Sequence, residues 1–144
     1  VFVLKITTRG IESAASRFDR VASGAWRRGL MTVVGGLVSD QTRRRIRSEK
    51  TDPSGTKWAA WAPSTAARRN KSHSLLVFTG KLLASITHND GATQTEIGAP
   101  VFYAAFLQDG TSRMVARRFL GLSSKNEDEV TRAVQSFVLA RLGI

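Results

Sequence analysis

Ile86-Thr87-His88-Asn89-Asp90-Gly91-Ala92-Thr93-Gln94-Thr95-Glu96-Ile97-Gly98 reads as two short runs flanking Asn89-Asp90-Gly91. Asp-Gly between two alternating runs is a strong hairpin signal, because both residues tolerate the backbone of a tight reversal. A hairpin makes the sheet antiparallel, and the rest of the chain is read around it. Residues 1–7 are rich in Val, Ile and Thr and read as another short strand. Ala116 to Leu122 reads as a further one.

Before the hairpin the period changes. Ile11, Ala14, Ala15, Phe18, Ala22, Ala25, Trp26, Leu30, Val33, Leu37 and Val38 recur at spacings of three and four. That is one face of an amphipathic helix. The pattern predicts a long helix over 9–48, of which the stretch from Ile11 to Ser48 alone is about 57 Å at the usual rise per residue. Gly35-Gly36 falls inside it and predicts a kink or close packing there. At the other end, Ser123-Ser124 is expected to cap a helix over 124–142. Its first turns carry Glu127, Asp128 and Glu129, as the helix dipole prefers. Val130, Ala133, Val134, Phe137, Val138 and Leu142 form its apolar face.

Residues 51–75 read as an extended loop with turn chemistry at Thr51 to Lys57 and a short helix over Ala66 to Arg69. A loop of this length is usually functional or flexible. Residues 76–122 read as a sheet-rich core, with Phe102, Tyr103 and Phe106 expected inside. The fold class that follows is α+β. A long N-terminal helix and a C-terminal helix pack on a small antiparallel sheet, in a single domain over 1–144.

Composition narrows the chemistry. The chain has 144 residues, 42% of them apolar and 23% charged, an ordinary globular balance. It has no cysteine and only His73 and His88. Disulfide scaffolds, thiolate metal sites, iron–sulfur clusters and cysteine nucleophiles are excluded together. There is no P-loop, no dinucleotide glycine pattern and no nucleophile elbow. No spacing of carboxylates is suited to acid–base work. The expectation is a protein that is not an enzyme and holds no cofactor or metal. No apolar run approaches the ~20 residues of a membrane span, and no signal peptide is read at the N-terminus. A membrane partner is not expected.

Charge is the strongest compositional signal. Lys and Arg number 22 against 11 Asp and Glu, a net charge of +11. All of the excess lies in residues 1–81, while residues 82–144 balance to zero. Such asymmetry suggests a polyanionic partner. The densest cluster is Arg43, Arg44, Arg45, Arg47 and Lys50, at the end of the long helix. The dipole favours cations there, but like charges three and four apart repel. These five are therefore the candidate polyanion or partner contact. Trp58 and Trp61, three apart in the basic 51–75 loop, suit either stacking on bases or, the commoner role, anchoring the loop to the core, and they are the candidate intersubunit loop.

Four stretches, in order, carry a resemblance. Pro53-Ser54-Gly55-Thr56-Lys57-Trp58 with Trp61-Ala62-Pro63-Ser64-Thr65 is the first. Leu76-Val77-Phe78-Thr79-Gly80-Lys81-Leu82-Leu83-Ala84-Ser85-Ile86 is the second. The third is Ile97-Gly98 followed by Tyr103-Ala104-Ala105-Phe106-Leu107-Gln108-Asp109-Gly110. The last is Arg117-Arg118-Phe119-Leu120-Gly121-Leu122-Ser123. Together they resemble the virion morphogenesis, or tail-completion, proteins of Mu-like tailed phages. Two positions depart from that pattern. Phe106 or Leu107 stands where a histidine is usual, and Val115-Ala116 replaces a proline. The resemblance implies a structural protein of the virion neck, acting in head–tail joining or tail completion. It implies a homo-oligomeric ring around the DNA channel, with neck, portal-side or tail proteins as neighbours. DNA in the channel would meet the basic half. The location implied is the virion, at the neck or tail end, after assembly in the host cytoplasm. The competing reading is a stand-alone, sequence-nonspecific nucleic-acid-binding protein that uses the basic helix without a ring.

Overall fold

Two strands, β1 (Val3–Thr7) and β2 (Thr87–Asp90), pair antiparallel with β3 (Gln94–Gly98), giving the order β1-β3-β2. This is a computed structural model, and it describes residues 3–7 and 24–143. Register aligns Leu4 with Ile97 and Ile97 with His88, then Ile6 with Thr95 and Thr95 with Asp90. These six side chains form the inner face, because alternate residues of a strand share a side. On the outer face Lys5 pairs with Glu96 at 3.1 Å. That pair is half exposed and contributes little. The hairpin reverses over Gly91-Ala92-Thr93, two residues later than a turn centred on Asp90 would. Asp90 therefore belongs to the ladder, and its carboxylate points inward.

Helix α1 (Gly24–Arg44) lies across that inner face. The part of the predicted helix over residues 9–23 lies outside the described residues. Leu30, Met31, Val34 and Val38 are buried against the sheet, whereas Val33 is 40% exposed. The buried face is thus rotated from the stripe that apolar residues alone suggested. Polar side chains extend it: Ser39, Gln41, Thr42 and Arg45 are also buried. Beyond Arg44 the chain widens into a π-helical turn, Arg45–Glu49, and stops at Lys50 in the left-handed conformation.

Gly35 explains itself in this packing. A Cβ there would lie 2.6 Å from His88 Nδ1, 2.6 Å from Thr95 Oγ1 and 2.8 Å from Asp90 Oδ1. The close approach is to the inward polar row of the hairpin, not a kink. Gly36 has open space around it. The two neighbours should therefore respond oppositely. Gly35→Ala is expected to destabilise by about 2–3 kcal/mol through overpacking of a hydrogen-bonded trio. Gly36→Ala is expected to stabilise by about 0.5–1 kcal/mol through helix propensity. Urea unfolding of both variants checks this; equal shifts would mean that the helix does not press on the hairpin.

Helix α2 (Pro63–Ala66) begins with its proline at the first position, where the missing N–H costs nothing, and so starts earlier than expected. Helices α3 (Lys81–Ser85) and α4 (Ala104–Asp109) are short. Helix α5 (Ser124–Leu142) runs antiparallel along α1. Ser123 caps it: Asn126 N donates to Ser123 Oγ, and Ser123 N donates to Asn126 Oδ1. At its far end Phe137 meets Trp26, with ring centroids 5.8 Å apart. Val130 and Val134 complete the seam.

Two expectations fail. The segment Ala116 to Leu122 forms no strand. Its backbone groups are taken up by side chains from elsewhere and, at Arg117 N, by the Leu107 carbonyl, so no ladder is needed to satisfy them. Phe102 and Phe106 are not core: Phe102 is 85% exposed and Phe106 is 50% exposed. Residues 76–122 are consequently a mixture of one hairpin, two short helices and irregular chain.

Candidate functional site

The basic cluster divides once the chain folds. Arg45 is 1% exposed. Its Nη1 donates to the carbonyls of Phe119 and Gly121, each at 2.9 Å, and its Nη2 donates to Asn126 Oδ1 at 2.6 Å. Burial lowers the guanidinium below its usual value, and the charges of Glu49 and Asp52 oppose this. It remains a cation, since arginine does not deprotonate in proteins. Lys50 also turns inward. Its ammonium donates to Ile46 O, Ser74 Oγ and Leu75 O, tying the helix end to the following loop. Burial lowers its pKa too. Arg43 bridges Asp40 and the Ile86 carbonyl. Arg44 reaches Glu129 at 3.0 Å and Glu49 at 3.3 Å. Arg47 is exposed and makes no ion pair among the described residues. Of the five candidates, Arg47 and the outer part of Arg44 leave charge exposed at the surface, whereas Arg45 and Lys50 turn theirs inward.

The two tryptophans divide likewise. Trp58 is 7% exposed, and its Nε1 donates to Arg118 O at 3.0 Å. It anchors the loop. Trp61 is half-buried, with the Arg69 guanidinium 5.5 Å from its ring centroid. It stays available at a groove described below.

What unites these residues is the irregular segment 117–121. Gln108 Oε1 accepts from Phe119 N and Leu120 N, and Gln108 Nε2 donates to Leu120 O, all at 3.1 Å. Arg117 N donates to Leu107 O, while its guanidinium donates to the carbonyls of Ala59 and Ala60. Gly121 sits against Pro53: a Cβ there would be 2.5 Å from Pro53 Cγ, at a φ of +144° that favours glycine. Four stretches far apart in sequence thus meet at one node, built from Arg45, Trp58, Gln108 and Asn126 around Phe119 and Leu120. Gln108 and Asn126 escape a sequence reading. The available signal was spacing: Met31, Val38 and Arg45 are seven apart, and Ala104 and Gln108 are four apart, so each polar group continues a buried face.

A second polar group lies under α1. His88 Nδ1 is 2.8 Å from Asp90 Oδ1, which also accepts from Thr95 Oγ1 at 2.7 Å. Burial pushes the Asp90 carboxyl up. Hydrogen bonds from Thr95 and His88 outweigh it and hold the group below its usual range. Glu129 is held low by hydrogen bonds from Gln41 and Arg44, against burial. Carboxylates depressed in the folded state stabilise it above their unfolded pKa, and that contribution disappears as pH falls through the folded value. Stability is expected to be flat near neutrality and to fall below about pH 4. Asp90→Asn should shallow that acid limb in pH-dependent urea titrations. An unchanged limb would show that Asp90 is equally acidic in the unfolded chain.

The surface carries the other feature. Phe78, Phe102, Phe106 and Val115 are each at least half exposed. Phe102 stands edge-on to Tyr103, with centroids 5.4 Å apart. No described group of three or more His, Asp or Glu side chains is placed to hold a metal, and no described helix is long and apolar enough to cross a membrane.

No solved structure matches the chain. The putative capsid assembly protein G of Escherichia phage Mu is 30% identical over 127 residues, covering 80% of this chain and 81% of that one. The model of the phage virion morphogenesis family matches residues 6–138, which include every segment that meets at the node. The chain therefore belongs to the phage virion morphogenesis family, and its role is in building the phage particle.

Proposed function

We propose that the protein is a non-enzymatic structural subunit of the virion neck. It acts in head–tail joining or tail completion, as one member of a homo-oligomeric ring. The observation that supports this most is the exposure of Phe78, Phe102, Phe106 and Val115 in a chain whose family builds virions. Large apolar side chains left exposed to this degree are what a neighbouring subunit can cover. The partners in this reading are further copies of the chain and portal-side or tail proteins. Duplex DNA in the channel would meet Arg44 and Arg47, through salt-dependent contacts without sequence preference. A head-to-tail contact closes a ring when its rotation allows.

Light scattering of the purified chain, at low and high salt and with and without duplex DNA, tests the reading. A discrete ring-sized species is expected, either alone or on addition of head or tail extract. A small species that coats DNA and releases it as salt rises would instead favour a stand-alone nucleic-acid-binding protein. Arg47→Glu is expected to fold normally and to weaken only the DNA-dependent or joining step. Unchanged joining by that variant would remove Arg47 from the contact.

A further inference from the structure

A groove of about 740 Å³ opens between the 60–69 stretch, the 74–82 stretch and the 113–117 segment. Its volume accommodates several side chains of a ligand. Aliphatic groups line much of it, among them Leu76, Val77, Leu107 and Val115. All the charge around it has one sign: Arg69, Lys81, Arg113 and Arg117 line it, and no lining residue is acidic. Arg69 lies over the Phe78 ring, 4.2 Å from its centroid, and its Nε is buried without a hydrogen-bond partner among the described residues. Leu76 adopts a left-handed backbone, φ +61°, in the turn closed by Ser74 and Val77. A non-glycine residue in that conformation costs about 1–2 kcal/mol. Held strain of this kind is characteristic of binding surfaces.

We propose that this groove receives an acidic peptide segment bearing large apolar side chains, contributed by another protein of the virion. The apolar wall takes the ligand's apolar side chains, and the rim cations take its carboxylates. Both parts are needed: a purely acidic ligand leaves Phe78 and Val115 uncovered, and a purely apolar one leaves four cations without counter-charge. A single-stranded nucleic acid fits less well, because bases need open ring faces to stack on. Here the Arg69 guanidinium already covers the Phe78 face and approaches that of Trp61. The inference rests on the assembly role proposed above, since it supposes a virion neighbour.

Selection from a random peptide library against the full chain tests it. The counter-target is Phe78→Asp combined with Val115→Asp, both at exposed positions so that the fold persists. Enriched peptides are expected to carry Asp or Glu beside Leu, Phe or Trp. Their affinity should fall about ten-fold or more with Arg113→Glu, and fall again as salt rises. Arg113→Glu is the second variant, and it leaves the apolar wall intact. Peptides without acidic bias, or peptides that bind the counter-target equally, overturn the proposal. So does an oligothymidylate that binds the groove where peptides do not, which would assign it to nucleic acid. Self-association lost in the double variant, with no peptide enriched, would assign the face to a second copy and also overturn it. The neck reading fails separately: peptide binding by a chain that never forms a ring or joins a tail would sink that reading alone.

Discussion

Arg45→Ala is expected to lower the unfolding free energy by about 3–5 kcal/mol, although it sits in a run of arginines that looks like surface. The side chain is 1% exposed and donates three hydrogen bonds to Phe119 O, Gly121 O and Asn126 Oδ1. Truncation leaves acceptors without donors in the interior and opens a cavity, two separate costs. One term opposes them: a cation held by neutral acceptors, with no carboxylate bonded to it, is itself expensive to bury. Arg45→Met keeps most of the volume and relieves the buried charge, so it should lose less than Arg45→Ala. Arg47→Ala, two residues on, is expected to change stability by less than about 0.5 kcal/mol. Urea denaturation followed by circular dichroism measures all three. A loss below about 1 kcal/mol for Arg45→Ala would mean that the guanidinium contributes no net stability at the node. Replacing the whole cluster by glutamate is consequently a poor test of polyanion binding, because it breaks the fold as well as the surface.

The second large effect is expected at Gln108. Gln108→Leu should cost about 3–4 kcal/mol, because it strands Phe119 N, Leu120 N and Leu120 O together in a buried site. Gln108→Glu separates the parts: it keeps an acceptor for the two N–H groups and loses the donor to Leu120 O. Arg45 and Gln108 both bond the backbone of residues 119–121. Their double variant is therefore expected to lose less than the sum of the single losses, since the first removal already loosens residues 119–121. Strict additivity in a double-mutant cycle would show that the two side chains hold independent parts of the chain.

The sequence by itself determined the elements whose signals are local. Alternation around Asp90-Gly91 specified an antiparallel hairpin, because strand faces repeat every two residues. The three-and-four spacing specified the helix that is observed from Gly24, and Ser123 specified the start of α5, because a cap acts within three residues of itself. The family was also legible, since motif order survives without knowledge of contacts. The tertiary structure alone decided which cations face water. Arg43 through Lys50 read as one charged run, yet the turn of the helix and its π-helical end send Arg45 and Lys50 inward and leave Arg47 outside. It decided, too, that residues 116–122 are not a strand. Their apolar pattern permitted one, but their hydrogen-bond partners are side chains from 45, 58 and 108, and no local rule encodes a partner so distant. It decided that Phe102 and Phe106 remain on the surface. Hydrophobicity measures how much a side chain gains by leaving water; whether the chain's own folding or a neighbouring subunit supplies that burial depends on where the fold places it.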